Sequence, residues 1–290
     1  MLLIMSKILT GVLSKNSKTC YLKTKDNNKI LLDGEIWEGY LIHWKNKVVN
    51  ARPLPQKDYK TGKNIYVLWL FNEKKDNIPF LELYYNERLI KYPASTFGHN
   101  AINVSGKIYN FSHYMNENEV LTPEEYFFRP ALGEFSPSPV TKRFALNQNG
   151  KNYFDKFGRN FMRKIHVLRV EGINDKYLFE IFDEELNNIN NSEPHPNNQE
   201  LYKDFNFFYR SCTTIIRDCL KRYGFNNIKG IFPRDFFINT AFECSKLKYL
   251  KIRMFTLPQL QVSEAPPSKP TPFINPLNYY RFKKLIKSYK

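Results

Sequence analysis

Two residues of this 290-residue chain have the type and setting for covalent chemistry, Cys212 and His99. Cys212 stands in YRSCTTIIRDCL, and apolar residues then recur at 215, 216, 219, 220 and 223, the period of an amphipathic helix. The spacing predicts a helix that starts at the cysteine and ends at Gly224. A thiol at a helix start meets unpaired backbone N–H groups and the positive end of the helix dipole. Both favour the thiolate, which is the nucleophile, and the same N–H groups can stabilise an oxyanion. Taken alone, a packed structural cysteine is the more ordinary reading. His99 lies in STFGHNAINVSGKIYNFS and opens a predicted strand directly after Gly98. Alternation sets His99, Ala101 and Asn103 on one face and Asn100, Ile102 and Val104 on the other. Ser105-Gly106 marks a two-residue hairpin to a second strand at 107–111. That strand offers Asn110, with Ser112 and His113 close behind, to hold the second imidazole nitrogen.

The remaining candidates carry less chemistry. Cys20, Cys219 and Cys244 read as packing residues, and four cysteines without a C-x-x-C pair form neither a zinc site nor a disulfide scaffold. His43, His166 and His195 show no metal spacing, with His166 packed in a strand and His195 solvated between prolines. Asp183 and Glu184 suit a helix N-terminus without an acid–base role. No metal or organic cofactor is implied.

The order of parts is the informative feature: a His strand, a hairpin, a polar strand, a long insertion, then a Cys helix. It resembles the circularly permuted papain-like hydrolases, which include the lecithin retinol acyltransferase-like group and relatives of NlpC-type peptidases. In particular it is similar to the periplasmic domain family that contains a bacterial lipoprotein N-acyltransferase. Phe97-Gly98-His99 resembles that family's His motif, Ala131-Leu132-Gly133-Glu134-Phe135 its Gly-rich aromatic loop, and Phe208-Tyr209-Arg210-Ser211-Cys212-Thr213-Thr214 its Cys-helix start. The likeness covers roughly residues 78 to 225. It implies Cys212 as nucleophile, His99 as base and Asn110 as the orienting residue. One position departs: the family has Asn before the cysteine, and Ser211 stands here, suited to cap the helix instead.

Other elements must position these groups. Short strands at Cys20–Thr24, Ile30–Leu32, Tyr40–Trp44, Val48–Ala51 and Ile65–Phe71 predict a small β-barrel of the OB or SH3 type over residues 1–74. Residues 75–262 then form the permuted papain-like domain, and 263–290 a Pro-rich, basic C-terminal tail. The expected class is α+β. Within the second domain, Phe80–Tyr84 and His166–Val170 read as strands and Pro123-Glu124-Glu125 as a helix start. RPALGEFSPSPV at 129–140 reads as a loop, Asn152–Met162 as helix, Glu184–Asn191 as a helix running into a polar loop, 234–247 as helix and Tyr249–Phe255 as strand.

A net charge of +16 favours anionic partners in general. The lysines are dispersed among Asn and Tyr, as in an AT-biased genome, and no nucleic-acid module is visible. The basic tail 281–290 could touch an anionic membrane surface, although a solvated helix end is the plainer reading. No apolar run spans a bilayer and no clear signal peptide precedes the chain, so a soluble protein is expected, cytoplasmic or exported without a signal. The expected substrate is an acyl-bearing lipid, lipoprotein or peptide, and the aromatic-rich loop 126–135 could receive its acyl chain. The expected activity is a thiol hydrolase or acyltransferase on an amide, ester or thioester. A peptidoglycan or protein amidase or peptidase, such as a secreted toxin, and a non-catalytic binding protein with a degenerate hydrolase fold are the alternatives.

Overall fold

The computed structural model describes residues 7–58, 61–72, 78–89, 96–112, 118–130, 135–137, 144–146, 160–261 and 267–288. In chain order the first elements are β1 (Leu9–Lys15), β2 (Cys20–Lys23), β3 (Lys29–Leu31), α1 (Glu38–Trp44), β4 (Val48–Lys57) and β5 (Asn64–Leu70). Next come β6 (Phe80–Asn86), β7 (His99–Val104), β8 (Lys107–Asn110), β9 (Glu119–Leu121), α2 (Pro123–Phe128), β10 (Phe135–Pro137) and β11 (Phe144–Leu146). A 3-10 turn at Asn160–Met162 leads into β12 (Ile165–Glu171), α3 (Asp175–Asn190), β13 (Pro194–His195), β14 (Asn198–Tyr202) and α4 (Cys212–Tyr223). The chain closes with α5 (Pro233–Cys244), β15 (Lys251–Leu257) and α6 (Pro276–Ser288). It is a mixed α+β protein with antiparallel sheets, and it divides into two compact units, residues 1–74 with 124–161 and residues 75–123 with 162–290.

The first unit carries a five-stranded antiparallel sheet of order β3-β2-β1-β4-β5. A parallel bridge joins Glu35, just past β3, to Ile65 on β5, so the chain beyond one edge strand reaches the other edge. The alternation at Tyr40–Trp44 predicts a strand, yet these residues form α1. Tyr40, Leu41 and Trp44 are buried while Ile42 is 76% exposed, which is the i, i+1, i+4 spacing of a helix face. The Tyr40 and Trp44 rings stack at 4.9 Å. Residues after Pro123 return to this unit: Arg52 pairs with Glu124 at 3.0 Å and Glu125 at 3.1 Å, and Phe128 packs on Trp44. Phe135–Pro137 is strand where a loop is expected, because it pairs with Phe144–Leu146. Residues 131–134 and 147–159, which hold most of the Gly-rich motif and the expected helix, lie outside the described residues.

The second unit is a six-stranded antiparallel sheet of order β15-β12-β6-β7-β8-β9. Leu81, Leu83, Ile102, Val104, Leu168 and Val170 line one face at period two and meet Phe182 of α3, Ile216 of α4 and Phe236 of α5. The hairpin between β7 and β8 turns on Ser105 at φ 43° and Gly106 at φ 100°, the paired positive angles that a two-residue turn needs. The basic tail, expected to end as a solvated helix, does end in a helix, α6, but one face of it is packed. Asn278, Phe282 and Leu285 repeat at helical spacing, and Leu285, only 3% exposed, enters the core. Among the described residues, no helix is long and apolar enough to cross a membrane.

Candidate active site

His99 owes its place to the glycine before it. Gly98 has φ 80°, and a Cβ there would lie 2.5 Å from the Asn86 carbonyl oxygen and 2.9 Å from the Tyr85 ring. Only glycine fits this approach, which brings His99 opposite Asn86 as the first pair of the β6–β7 ladder. On β8, Asn110 then reaches the ring. Asn110 Oδ1 lies 2.8 Å from His99 Nε2, so that nitrogen carries the proton and donates. Nδ1 is left with the lone pair that can take a proton from a thiol.

Cys212 is the first residue of α4, with Ser211 at the cap position in extended conformation. The Ser211 N–H donates to Thr214 Oγ1 at 2.7 Å, which satisfies one backbone donor at the helix entry. Upstream, the Tyr202 hydroxyl donates to the Arg210 carbonyl at 2.6 Å, and Arg210 pairs with Glu185 of α3 at 2.7 Å. The chain therefore enters α4 on a fixed path. Thr213 then ties the helix to the His strand. Its hydroxyl donates to Asn100 Oδ1 at 2.9 Å, and Asn100 Nδ2 donates to the Tyr84 carbonyl at 2.8 Å. Both side chains are buried.

These tethers bring the expected residues together. The His99 imidazole hydrogen-bonds the half-buried Cys212 thiol, and the backbone N–H of Asn100 donates to the same sulfur. Burial alone would push this thiol up, but the His99 charge and these hydrogen bonds outweigh it and draw the thiol down to about 7. Elsewhere burial wins. It pushes Cys244 up to about 12, and it raises Cys20 and Cys219 as well.

Of the alternatives to Asn110, Ser112 is buried and its backbone N–H donates to Asn118 Oδ1 at 2.9 Å, while His113 lies outside the described residues. Cys219 and Cys244 are core residues as expected, and Cys20 is only half-buried. His166 is not merely packed: its Nε2 pairs with Glu87 Oε1 at 2.9 Å. Asp183 accepts from the Tyr109 hydroxyl at 2.6 Å and Glu184 pairs with Arg222, which occupies both acids structurally. The loop proposed to receive an acyl chain begins in α2, where Tyr126 is buried. Among the described residues no group of three or more His, Cys, Asp or Glu is placed to hold a metal ion. Sequence reasoning missed Asn100 and Thr213. The available signal was a lone amide on the apolar face shared with Ile102 and Val104. Compared with protein-family models, with curated proteins and with solved structures, the chain matches none.

Proposed function

We propose that the protein is a cysteine-dependent hydrolase or acyltransferase that works through an acyl-enzyme on Cys212. One observation carries this reading. His99 is held on Nε2 by Asn110 and hydrogen-bonds the one thiol of the four that is drawn below the ordinary range. The Cys212 thiolate attacks the carbonyl carbon of an amide, ester or thioester, and the S–C bond forms as the carbonyl electrons move to oxygen. N–H groups in the first turn of α4 are the donors suited to that oxyanion. Collapse expels the amine, alcohol or thiol, which leaves with a proton from the His99 imidazolium. Water, or an amine or hydroxyl acceptor, next loses its proton to His99 and attacks the thioester, which releases the acyl group and restores the thiolate.

The fold assigned by this reading is a circularly permuted papain-like domain in the second unit. It is supported by β7 with His99 preceding α4 with Cys212 in the chain. For the first unit the reading is a small barrel, supported by the Glu35–Ile65 bridge between the two sides of its sheet. The substrate class proposed is an acylated lipid or lipoprotein.

Iodoacetamide at neutral pH tests the nucleophile. Cys212 should be alkylated at least about tenfold faster than Cys219 or Cys244, and C212A should lose all turnover of lipid esters followed by mass spectrometry. If Cys212 reacts no faster than the two core thiols, or C212A behaves as wild type, the enzyme reading fails. Turnover of muropeptides with lipid esters left intact would replace the lipid by a peptide amide.

A further inference from the structure

Four phenyl rings gather from segments that flank His99, Cys212 and α5, and three of them are exposed. Phe97 stands two residues before His99, and Phe207 five before Cys212. Their ring centroids lie 5.3 Å apart. Phe232, the residue ahead of α5, completes the group at 5.3 Å from Phe97 and 6.2 Å from Phe207. Phe208 sets its edge on Phe207 at 5.3 Å. Phe97, Phe207 and Phe208 are 38%, 41% and 51% exposed, whereas other rings of this unit such as Phe182 and Phe236 are fully buried. Single exposed phenylalanines are ordinary, but a contiguous ring cluster gathered from three separate chain segments is a mark of a binding surface. Two of those segments are the ones that carry His99 and Cys212, so only a few residues of chain separate the rings from either.

We propose that Phe97, Phe207, Phe208 and Phe232 form an apolar subsite for a bulky alkyl or aryl group carried next to the carbonyl that Cys212 attacks. The proposal rests on the reading of Cys212 as nucleophile. Phenyl rings neither donate nor accept a strong hydrogen bond, so they select by apolar area and shape. A fatty acyl chain and the side chain of an apolar amino acid offer that same chemistry. An acetyl group leaves the rings in water and gains nothing from them. The site therefore discriminates by the size of the acyl group, and the residues that set the preference are Phe97 and Phe207.

Three esters of p-nitrophenol test this on the full chain: acetate, octanoate and N-acetylphenylalaninate. Attack by Cys212 forms the thioester and releases p-nitrophenolate, so the initial burst and the intact mass both report acylation. Acylation by the octanoyl or the N-acetylphenylalanyl ester, or by both, should be at least about tenfold faster than by the acetyl ester. The faster of the two longer esters distinguishes a lipid from a peptide source. In F207S and F97S the ratio to acetate should fall toward one, and because both rings are partly exposed, neither change opens the core. Equal rates for the three esters in the wild type, or a ratio unchanged in both variants, overturn the subsite while the nucleophile stands. If none of the three acylates Cys212, the nucleophile reading falls and the subsite falls with it.

Discussion

At the scale of single residues, the arrangement turns on which nitrogen of His99 holds a proton. Asn110 fixes it on Nε2, which makes Nδ1 the base in the proposed mechanism. A thiol drawn to about 7 is an acid with a depressed value, so its reactive form is present above that pH and disappears below it. The alkylation rate of Cys212 should therefore reach its half-maximum near pH 7, with about one-tenth of the plateau remaining at pH 6. In H99A the charge and hydrogen bond that oppose burial are gone, and the midpoint should move up to 9 or beyond. A rate measured from pH 5 to 10 that rises through the same midpoint in both proteins would show that His99 does not act on the thiol. The two partners are legible in the sequence because each has a local signature, a helical period after Cys212 and a Gly-His strand start at 98–99. Asn110 is not separable there from Ser112 and His113, because three polar groups crowd the end of one short strand.

At the scale of elements, two pieces distant in sequence must be held in register to better than a hydrogen-bond length. The Thr213–Asn100–Tyr84 chain does this, bonding the first turn of α4 to β7 and β7 to β6. T213V keeps the shape of the side chain and removes the hydroxyl, which leaves the buried Asn100 carbonyl oxygen without its donor. It should destabilise the fold by about 1–3 kcal/mol, read by urea unfolding, and shift the Cys212 alkylation midpoint upward. T213S, which restores the hydroxyl, should recover the midpoint. A midpoint unmoved in T213V would make the contact structural only. Such a tether is invisible to periodicity, since it depends on which faces of two elements meet. The same limit explains α1, where an alternation at Tyr40, Ile42 and Trp44 is also compatible with helical burial of Tyr40, Leu41 and Trp44. The strands at 80–86, 99–110 and 165–171 are legible because their apolar residues and their turn chemistry agree.

At the scale of the whole chain, the least legible feature is the return of distant segments. APPSKPTP at 265–272 hides any period, yet the described residues from 267 onward are tied back onto the second unit. Lys269 and Arg88 exchange backbone hydrogen bonds at 3.1 Å, the Thr271 N–H donates to the Tyr85 hydroxyl at 2.8 Å, and Asp235 accepts from the Ile274 and Asn275 N–H groups. Glu87 sits at the head of this seam. Its carboxylate accepts from Ser268 Oγ at 2.9 Å and faces His166 Nε2 at 2.9 Å. Burial pushes this carboxyl up, but the hydrogen bonds from His166 and Ser268 together with nearby positive charge outweigh it and hold it below the usual range. A carboxyl lowered by folding contributes stability that is complete above the unfolded value of 4.5 and is lost as pH falls through the lower folded value. E87Q preserves the shape but not the charge. It should cost about 1–3 kcal/mol at pH 7, and the difference from wild type should narrow as the pH falls below the ordinary carboxylate range. Urea unfolding of both proteins at pH 7 and at pH 3.5 reads this directly. A difference that is the same at both pH values would mean that Glu87 holds the C-terminal segment by shape rather than by charge.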